Sequence, residues 1–269
     1  MEHYKVDQTD TNTPAADGLS SEDTLFSWRT GIVFKPVENG SVYFGVGKSL
    51  TPASASSSNG FSFSTNSSST ANPDVDPLET TSYELGTKWA LLDNRLNLSL
   101  AVLYTELEND ITVDPITSIA YQSGKKRTQG VEFGLGGLIT DRWSITTGFT
   151  VLDSEIDSLD PDDDGNSASF VPEVTVNLWS TYAVTDAFSV GGGVVYSGEI
   201  SYSDNGTEPP AEAEYTLFSA MASYQLNEHT SLQLNVDNIT DEEYIAKGSS
   251  RRSVPGAGRS AKLTVNYQF

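Results

Sequence analysis

The stretch that decides the fold is RLNLSLAVLYT, residues 95–105, in which apolar and polar side chains alternate. Successive side chains of a β-strand point to opposite faces, so this stretch predicts a strand with one apolar and one polar face. A tilted strand needs roughly 9 to 11 residues to cross a membrane, whereas strands of soluble proteins average about 5 to 6. The apolar face carries Leu96, Leu98, Leu100, Val102 and Tyr104, and the polar face carries Asn97, Ser99, Ala101 and Thr105.

The same alternation recurs along the chain and predicts eleven strands, preceded by a short remnant strand at residues 3–8. The glycines of Gly134-Leu135-Gly136-Gly137 and Gly191-Gly192-Gly193 fall inside these strands, where glycine allows tight curvature. The predicted strands lie at about residues 28–34, 42–50, 83–91, 95–105, 131–139, 143–151, 174–184, 188–196, 218–226, 232–236 and 261–269.

The connections between the predicted strands alternate between short and long. Turns of two or three residues lie at 93–94, 141–142, 185–187 and 227–229. Short turns on one side and long loops on the other are typical of outer-membrane barrels, with the long loops outside the cell. The long polar connections are predicted at about 9–26, 51–78, 106–124, 156–171, 200–213 and 244–258.

The charged residues within the strands test this interpretation. A Lys or Arg that faces lipid in mid-strand costs roughly 2 to 4 kcal/mol, so a membrane barrel should carry strand charges only on its polar, lumen-facing side. Lys48 is an exception, near a strand end. The charges that follow the polar phase are Arg29, Glu84, Lys88, Glu132 and Lys262.

Composition narrows the classes of function. Only 37% of the residues are hydrophobic and the net charge is −22, which leans towards disorder, but 12 Tyr, 11 Phe and 4 Trp argue for a folded chain. No apolar run of 18 residues predicts a membrane helix, and the absence of Cys excludes thiolate metal sites. The acidic balance argues against nucleic acid as a partner. The two histidines, His3 and His229, lie in a frayed start and a turn, so no enzyme activity and no cofactor are predicted.

The sequence therefore predicts an all-β protein, a transmembrane antiparallel up-and-down β-barrel with about 11 to 12 strands present. We treat residues 1–269 as one barrel region, with a remnant strand and outer loop at 1–26 and barrel hairpins at 27–269. A soluble acidic β-sandwich remains an alternative, because packed sheets also alternate in this way.

Several motifs resemble the TonB-dependent siderophore receptors of the bacterial outer membrane, in particular those for ferric catecholates. The motifs are YELGTKW at 83–89, LLDNRL at 91–96, GVEFG at 130–134, LQLNVDNITDEEY at 232–244 and PGAGRS at 255–260.

The resemblance implies uptake of ferric siderophores through a 22-stranded barrel that is filled by a plug carrying the contact for TonB. The predicted strands correspond to the C-terminal half of such a barrel, and no plug is recognisable in them. A fragment, a split gene product and a reduced barrel are all compatible with this. Implied partners are a ferric siderophore, the TonB system through a plug absent from this chain, lipid and lipopolysaccharide, and the barrel-assembly machinery.

Ferric siderophores are often anionic and aromatic, so cations near the outer ends of strands are the candidate ligand contacts. Lipopolysaccharide phosphates would attract the same groups, and both interpretations stay open. The six candidates are Lys125, Lys126, Arg127, Arg251, Arg252 and Arg259.

Two further segments are candidates for other roles. DPDDDGN at 160–166 opens like a calcium loop, with Asp160, Asp162 and Asp164 at alternate positions, but position twelve is Val171, so a solvated acidic loop is preferred. The last strand resembles the assembly signal of outer-membrane barrels, since an exposed edge strand is what a folding machine can pair with. Its apolar positions are Leu263, Val265, Tyr267 and the terminal Phe269.

Besides a transport receptor, a passive outer-membrane channel or a structural β-barrel is the main alternative. Such a channel would need no plug. Its lumen would be lined by Glu84, Lys88, Asn97, Gln233 and Lys262.

Overall fold

The computed structural model describes residues 2–8, 19–52, 76–113, 120–201, 214–249 and 252–269, and the regular structure in these ranges is β-strand. The described part of the chain contains no helix that is long and apolar enough to cross a membrane. The strands are β1 (Glu2–Gln8), β2 (Leu19–Leu25), β3 (Trp28–Val37), β4 (Gly40–Thr51), β5 (Leu78–Leu91), β6 (Leu96–Val113), β7 (Ala120–Thr140), β8 (Trp143–Asp157), β9 (Val174–Ala183), β10 (Phe188–Ser197), β11 (Tyr215–Asn227), β12 (Thr230–Asp237), β13 (Ile245–Ser249), β14 (Arg252–Pro255) and β15 (Ser260–Tyr267).

Eleven strands form one antiparallel sheet in which β3 to β12 are neighbours in chain order and β15 pairs with β12. These are the eleven strands that the alternation predicts, so the up-and-down architecture is confirmed. Two hairpins stand apart as separate sheets, β1 with β2 and β13 with β14. Both lie at the end of the sheet where the connections are long.

Three segments that the sequence predicts to be loops contain strands, so their prediction as loops is wrong in part. Residues 106–124 mostly belong to strands, because β6 continues to Val113 and β7 starts at Ala120. Loop 9–26 contains β2, and loop 244–258 contains β13 and β14. These segments lack apolar alternation because they extend beyond lipid, where cross-strand polar pairs rather than an apolar face stabilise the sheet.

The main sheet has an apolar face and a polar face, and no described part of the chain covers the apolar face. Ile32 is 73% exposed, Leu85 54% and Val102 53%, although all three lie in mid-strand. Among the described residues the only buried apolar side chains are Leu25, Leu78, Leu96, Ala101, Ile156 and Ala168. A soluble sandwich would seal these apolar rows in an interior, so the arrangement fits a lipid face and a lumen face instead.

Strand direction follows from the short turns, which join β3 to β4, β5 to β6, β7 to β8, β9 to β10 and β11 to β12. Both edge strands, β3 and β15, therefore run from the long-loop end to the short-turn end. In the described residues β3 and β15 are not paired with each other. Joining them directly would create a parallel seam, and in the described residues the eleven strands form an open antiparallel sheet that corresponds to part of a barrel wall.

Large aromatic side chains cover glycines on neighbouring strands. The ring of Trp179 on β9 occupies the space that a Cβ at Gly193 would need, 2.5 Å from its Cε3 atom. Tyr43 on β4 covers Gly86 on β5 in the same way. These glycines therefore make room for lumen-face rings, a reason that strand curvature alone does not supply.

Candidate ligand-binding surface at the outer end of the strands

The structure places the candidate cations on two separate elements. Lys125, Lys126 and Arg127 lie on β7, above the membrane-spanning part of the strand. Arg252 begins β14, and Arg259 immediately precedes β15. Arg251 lies outside the described residues.

Strand alternation divides the three β7 cations between the two faces. Lys125 and Arg127 share the face of Val131, which is the lipid face further down the strand. Lys125 Nζ lies 2.6 Å from Glu108 Oε1, and Arg127 Nε lies 3.2 Å from Glu106 Oε2, both on β6.

Lys126 points to the opposite, lumen side of the same strand. Its Nζ lies 3.0 Å from Asp110 Oδ2. Asp110 comes one residue after Asn109, whose φ of 62° marks a bulge in the pairing of β6 with β7. An extra residue reverses the alternation, which is why Asp110 does not share a face with Glu106 and Glu108.

Carboxylates of β8 complete the surface on the outward side. Arg127 lies opposite Glu155, and Lys125 lies opposite Asp157, in the β7 and β8 register. A cationic strand is thus flanked on both sides by acidic strands, an arrangement that favours cross-strand pairing. We call this set the outward charge grid, and its members are Glu106, Glu108, Lys125, Arg127, Asp153, Glu155 and Asp157.

Within the outward charge grid, the pKa of Glu106 is shifted by its neighbours. Tyr104, the last residue of the apolar row, donates a hydrogen bond of 2.8 Å from its hydroxyl to Glu106 Oε2. This hydrogen bond, assisted by Arg127 and Lys125, lowers the pKa of Glu106 below its usual value, against the opposing effect of desolvation. The carboxylate therefore stays ionised at neutral pH and holds Arg127 in place.

Lys48, the exception among the strand charges, has a carboxylate partner. It lies at the outer end of β4 on the lipid face, and its ammonium forms an ion pair with Glu79 at the start of β5. Trp28 is its cross-strand neighbour on β3. An aromatic ring beside a paired charge is typical of the level of the lipid headgroups, so Lys48 does not contradict the lipid face.

Arg259 belongs to a set of contacts that interrupts the strand after β12. Its backbone N–H donates to Asp241 Oδ1 at 2.7 Å, and its guanidinium lies 3.7 Å from Asp241 Oδ2. The guanidinium also donates to the carbonyl of Ile239 at 3.4 Å. Arg259 therefore holds its own chain segment and is not simply presented to solvent.

The centre of these contacts is Asn238, a residue that is only 4% exposed. Its amide donates to the carbonyls of Glu242 and Ala257 at 2.9 and 3.0 Å, and its oxygen accepts the Glu242 N–H at 2.8 Å. Asn238 and Asp241 have φ values of 50° and 58°, a left-handed conformation that Asn and Asp tolerate better than most residues. We assign no structural role to residues 238–244 from the sequence alone. Asn and Asp directly after a strand are nevertheless typical of such a turn.

The lumen face of β4 and β5 carries a small polar cluster. The Tyr43 hydroxyl donates a hydrogen bond to Glu84, and Lys88 Nζ lies 5.3 Å from the centre of the Tyr43 ring. A concavity of about 620 Å³ lies on the lumen side, and Lys88, Asn97 and Ser99 are among its lining residues. The cluster offers hydrogen bonds and charge to whatever fills the lumen, and it contains no nucleophile paired with a base.

The acidic loop after β8 is held by its own hydrogen bonds. Asp160 Oδ1 accepts the N–H of Asp162 at 3.0 Å, and Asp164 Oδ1 accepts the N–H of Ser158 at 3.1 Å. No three carboxylates or imidazoles converge as metal ligands in the part of the chain that the structure describes. The geometry of the loop is thus explained by hydrogen bonding within the chain.

The last strand presents its apolar row to the lipid side. Leu263, Val265 and Tyr267 are 65%, 60% and 59% exposed, and Phe269 follows with its ring 5.1 Å from that of Tyr267. One side of β15 pairs with β12, and the other side has no partner among the described strands. The strand thus has an exposed backbone edge beside an apolar face.

Fold and surface together define a segment of an outer-membrane barrel wall. Residues 1–239 match the profile of the family described as "TonB dependent receptor-like, beta-barrel", and the chain belongs to this family. Members of the family are β-barrel proteins of the bacterial outer membrane, so this is the location of the chain.

Named relatives are similar over nearly the whole chain. The probable TonB-dependent siderophore receptor PiuA of Acinetobacter baumannii is 35% identical over 96% of this chain and 36% of its own length. The catecholate siderophore receptor Fiu of Escherichia coli K12 is 35% identical over 91% of this chain and 33% of its own length. The chain thus spans about a third of these relatives.

Solved structures show the same similarity in three dimensions. The crystal structure of PiuA superimposes with a TM-score of 0.85 at 32% identity, over 98% of this chain and 39% of that one. The closed form of Fiu gives a TM-score of 0.81 at 32% identity, over 94% of this chain and 36% of that one.

Proposed function

We propose that the chain forms part of the wall of an outer-membrane receptor for TonB-dependent uptake of ferric siderophores. The observation that carries the proposal is the match, over almost all of the chain, to relatives named as siderophore receptors. The lipid face and the polar lumen face support it, because the wall of a transport barrel needs both. TonB would act through a plug inside such a wall, and the Tyr43, Glu84 and Lys88 cluster offers polar contacts on that side.

Iron uptake by cells tests this proposal directly. We expect cells that produce the protein to accumulate radioactive iron from an anionic ferric catecholate, and to lose the uptake when TonB is deleted or the proton gradient is collapsed. Uptake that persists without TonB would contradict the receptor and favour a passive channel. Ion conductance in planar bilayers provides the second measurement, since an open channel conducts without energy input.

For the anionic ligand, the lumen-side and loop cations are the better candidates. Lys126 faces the lumen side, and Arg252 lies on the hairpin at the outer end of the barrel. Lys125 and Arg127 face outwards, at the level just above the lipid-facing residues. We therefore assign Lys125 and Arg127 to contact with lipopolysaccharide phosphates. The carboxylates of the outward charge grid compete for the same cations, so this contact is expected to be modest.

Adjacent lysines on opposite faces provide a matched test of that assignment. Lys125→Gln should lower the amount of lipopolysaccharide that co-purifies with the protein, whereas Lys126→Gln should leave it unchanged. Lys126→Gln should instead weaken binding of the ferric chelate. Equal effects of the two changes on lipopolysaccharide would refute the assignment by face.

We further propose that β15 carries the signal for the barrel-assembly machinery, through its exposed edge and the row Leu263, Val265, Tyr267 and Phe269. Deletion of Phe269 should reduce insertion of the protein into the outer membrane. The check is the fraction of protein that becomes resistant to SDS without heating. Normal insertion after this deletion together with Tyr267→Ser would contradict the proposal.

A further inference from the structure

The β13 and β14 hairpin is joined to the barrel wall through one compact set of contacts. The hairpin is a sheet of its own. It connects β12, which runs towards the long-loop end, to β15, which runs back to the short-turn end. Both of its connections pass through residues that contact each other. We call these residues the base clamp, and its members are Asn238, Asp241, Tyr244, Gly256 and Arg259.

The base clamp ties the incoming connection to the outgoing one at three points. Asn238 donates to the carbonyl of Ala257 at 3.0 Å, and Asp241 accepts the N–H of Arg259 at 2.7 Å. The N–H of Gly256 donates to the carbonyl of Tyr244 at 2.7 Å. Because these bonds join segments that are 12 to 19 residues apart in sequence, they close the base of the hairpin.

Ring packing reinforces this closure. The Tyr244 ring lies over Gly256, in the space that a Cβ there would occupy. Tyr244 also contacts Tyr215 at the start of β11, with ring centres 4.6 Å apart. The base clamp is thereby joined to the wall of the barrel, and the hairpin above it has a defined orientation.

The hairpin carries two cations on one face. Lys247 pairs with Val254, and Ser249 pairs with Arg252, in the register of the two strands. Positions two residues apart on a strand share a face, so Lys247 and Arg252 lie on the same side of the hairpin. Such diagonal neighbours are about 7 to 8 Å apart, close enough to contact one small anion together.

We propose that the base clamp holds this cationic face in one pose, and that Lys247 and Arg252 there contact the anionic ferric chelate. The ligand part of the inference rests on the proposed receptor function. Lys247 was not among the candidates from the sequence, because only the hairpin register brings it beside Arg252. The base clamp residues act through the hairpin and are positioning residues, whereas the two cations are ligand contacts.

Isosteric substitution of the buried amide tests the clamp. Asn238→Asp keeps the shape and the acceptor but replaces both donated hydrogen bonds by repulsion between a carboxylate and two carbonyls. Asn235→Asp is the matched control, because Asn235 lies on β12 only three residues before Asn238, opposite Lys262 on β15. In native outer-membrane vesicles we expect trypsin to cleave after Lys247 and Arg252 roughly tenfold faster in Asn238→Asp than in the control. Both variants should keep the SDS resistance of a folded barrel.

Ligand binding is measured on the same vesicles with ferric tris-catecholate as the probe. Lys247→Ala combined with Arg252→Ala should weaken binding roughly tenfold. Asn238→Asp should weaken it less, by roughly two- to fivefold, because the cations are retained but no longer held in one pose.

Each outcome decides one part. Unchanged cleavage in Asn238→Asp would overturn the clamp, and faster cleavage with unchanged affinity would overturn its positioning role. Unchanged affinity in the double variant, when the wild type binds the probe, would overturn the ligand contacts and leave the receptor function standing. A wild-type protein that does not bind the probe would overturn the receptor proposal and the ligand part together, while the cleavage rates would still decide the clamp.

Discussion

Replacing Leu100 by lysine should destabilise the folded barrel far more than the same change at Leu103. Leu100 lies in the middle of the lipid-facing row of β6, and Leu103 lies on the lumen phase, directly opposite Glu84 on β5. The two positions are three residues apart on one strand. Both variants therefore replace leucine by lysine, and they differ only in whether the lysine faces lipid or the lumen.

The geometry of β6 sets the magnitude. Leu96 and Tyr104 mark the ends of the lipid-facing row, and eight residue steps of about 3.3 Å separate them by about 26 Å along the strand. With a strand tilt of about 40°, Leu100 lies about 10 Å from either boundary. That is too deep for the lysine ammonium to reach the headgroups by snorkelling. The expected cost is about 2 to 4 kcal/mol, or roughly 30- to 700-fold in the folding equilibrium.

Urea unfolding in lipid vesicles, followed by tryptophan fluorescence, measures this difference. Leu103→Lys should change the free energy of unfolding by less than about 1 kcal/mol, because its ammonium stays in water beside a carboxylate. Heat-dependent mobility on SDS gels provides an independent measure of the folded fraction. Equal losses at the two positions, or a larger loss at Leu103, would show that the faces are wrongly assigned.

Two other predictions concern packing and charge. Gly193→Ala should lower the free energy of unfolding by about 1 to 3 kcal/mol, because the new Cβ would lie 2.5 Å from the Trp179 ring. Gly192→Ala should change it little, because the nearest atom to its Cβ would be 3.5 Å away. Urea unfolding compares the two variants, and equal losses would contradict the packing. Tyr104→Phe removes the hydrogen bond that lowers the pKa of Glu106. A carboxyl group with a lowered pKa stabilises the fold above its unfolded pKa and loses that contribution as the pH falls through its folded pKa, so in the variant acid should begin to unfold the protein at a higher pH. An unshifted acid transition in circular dichroism would contradict this.

The alternation of side chains determined the architecture of this protein from sequence alone. Each strand in lipid must present apolar side chains at every second position, so the pattern that defines a strand also defines which face is outside. For this reason the eleven strands of the sheet could be found from stretches such as residues 95–105. Extending the same phase from Val131 to Lys125 and Arg127 would also have indicated that these two cations face outwards.

The tertiary structure alone decided which residues become partners. The bulge at Asn109 brings Asp110 to Lys126, and no periodic pattern predicts where an extra residue interrupts the register. The contact of Asn238 with Ala257 joins two segments that are 19 residues apart, with a hairpin of little apolar signal between them. Hydrogen bonds across such distances depend on how the strands align in space, whereas the local sequence specifies only which way each side chain points.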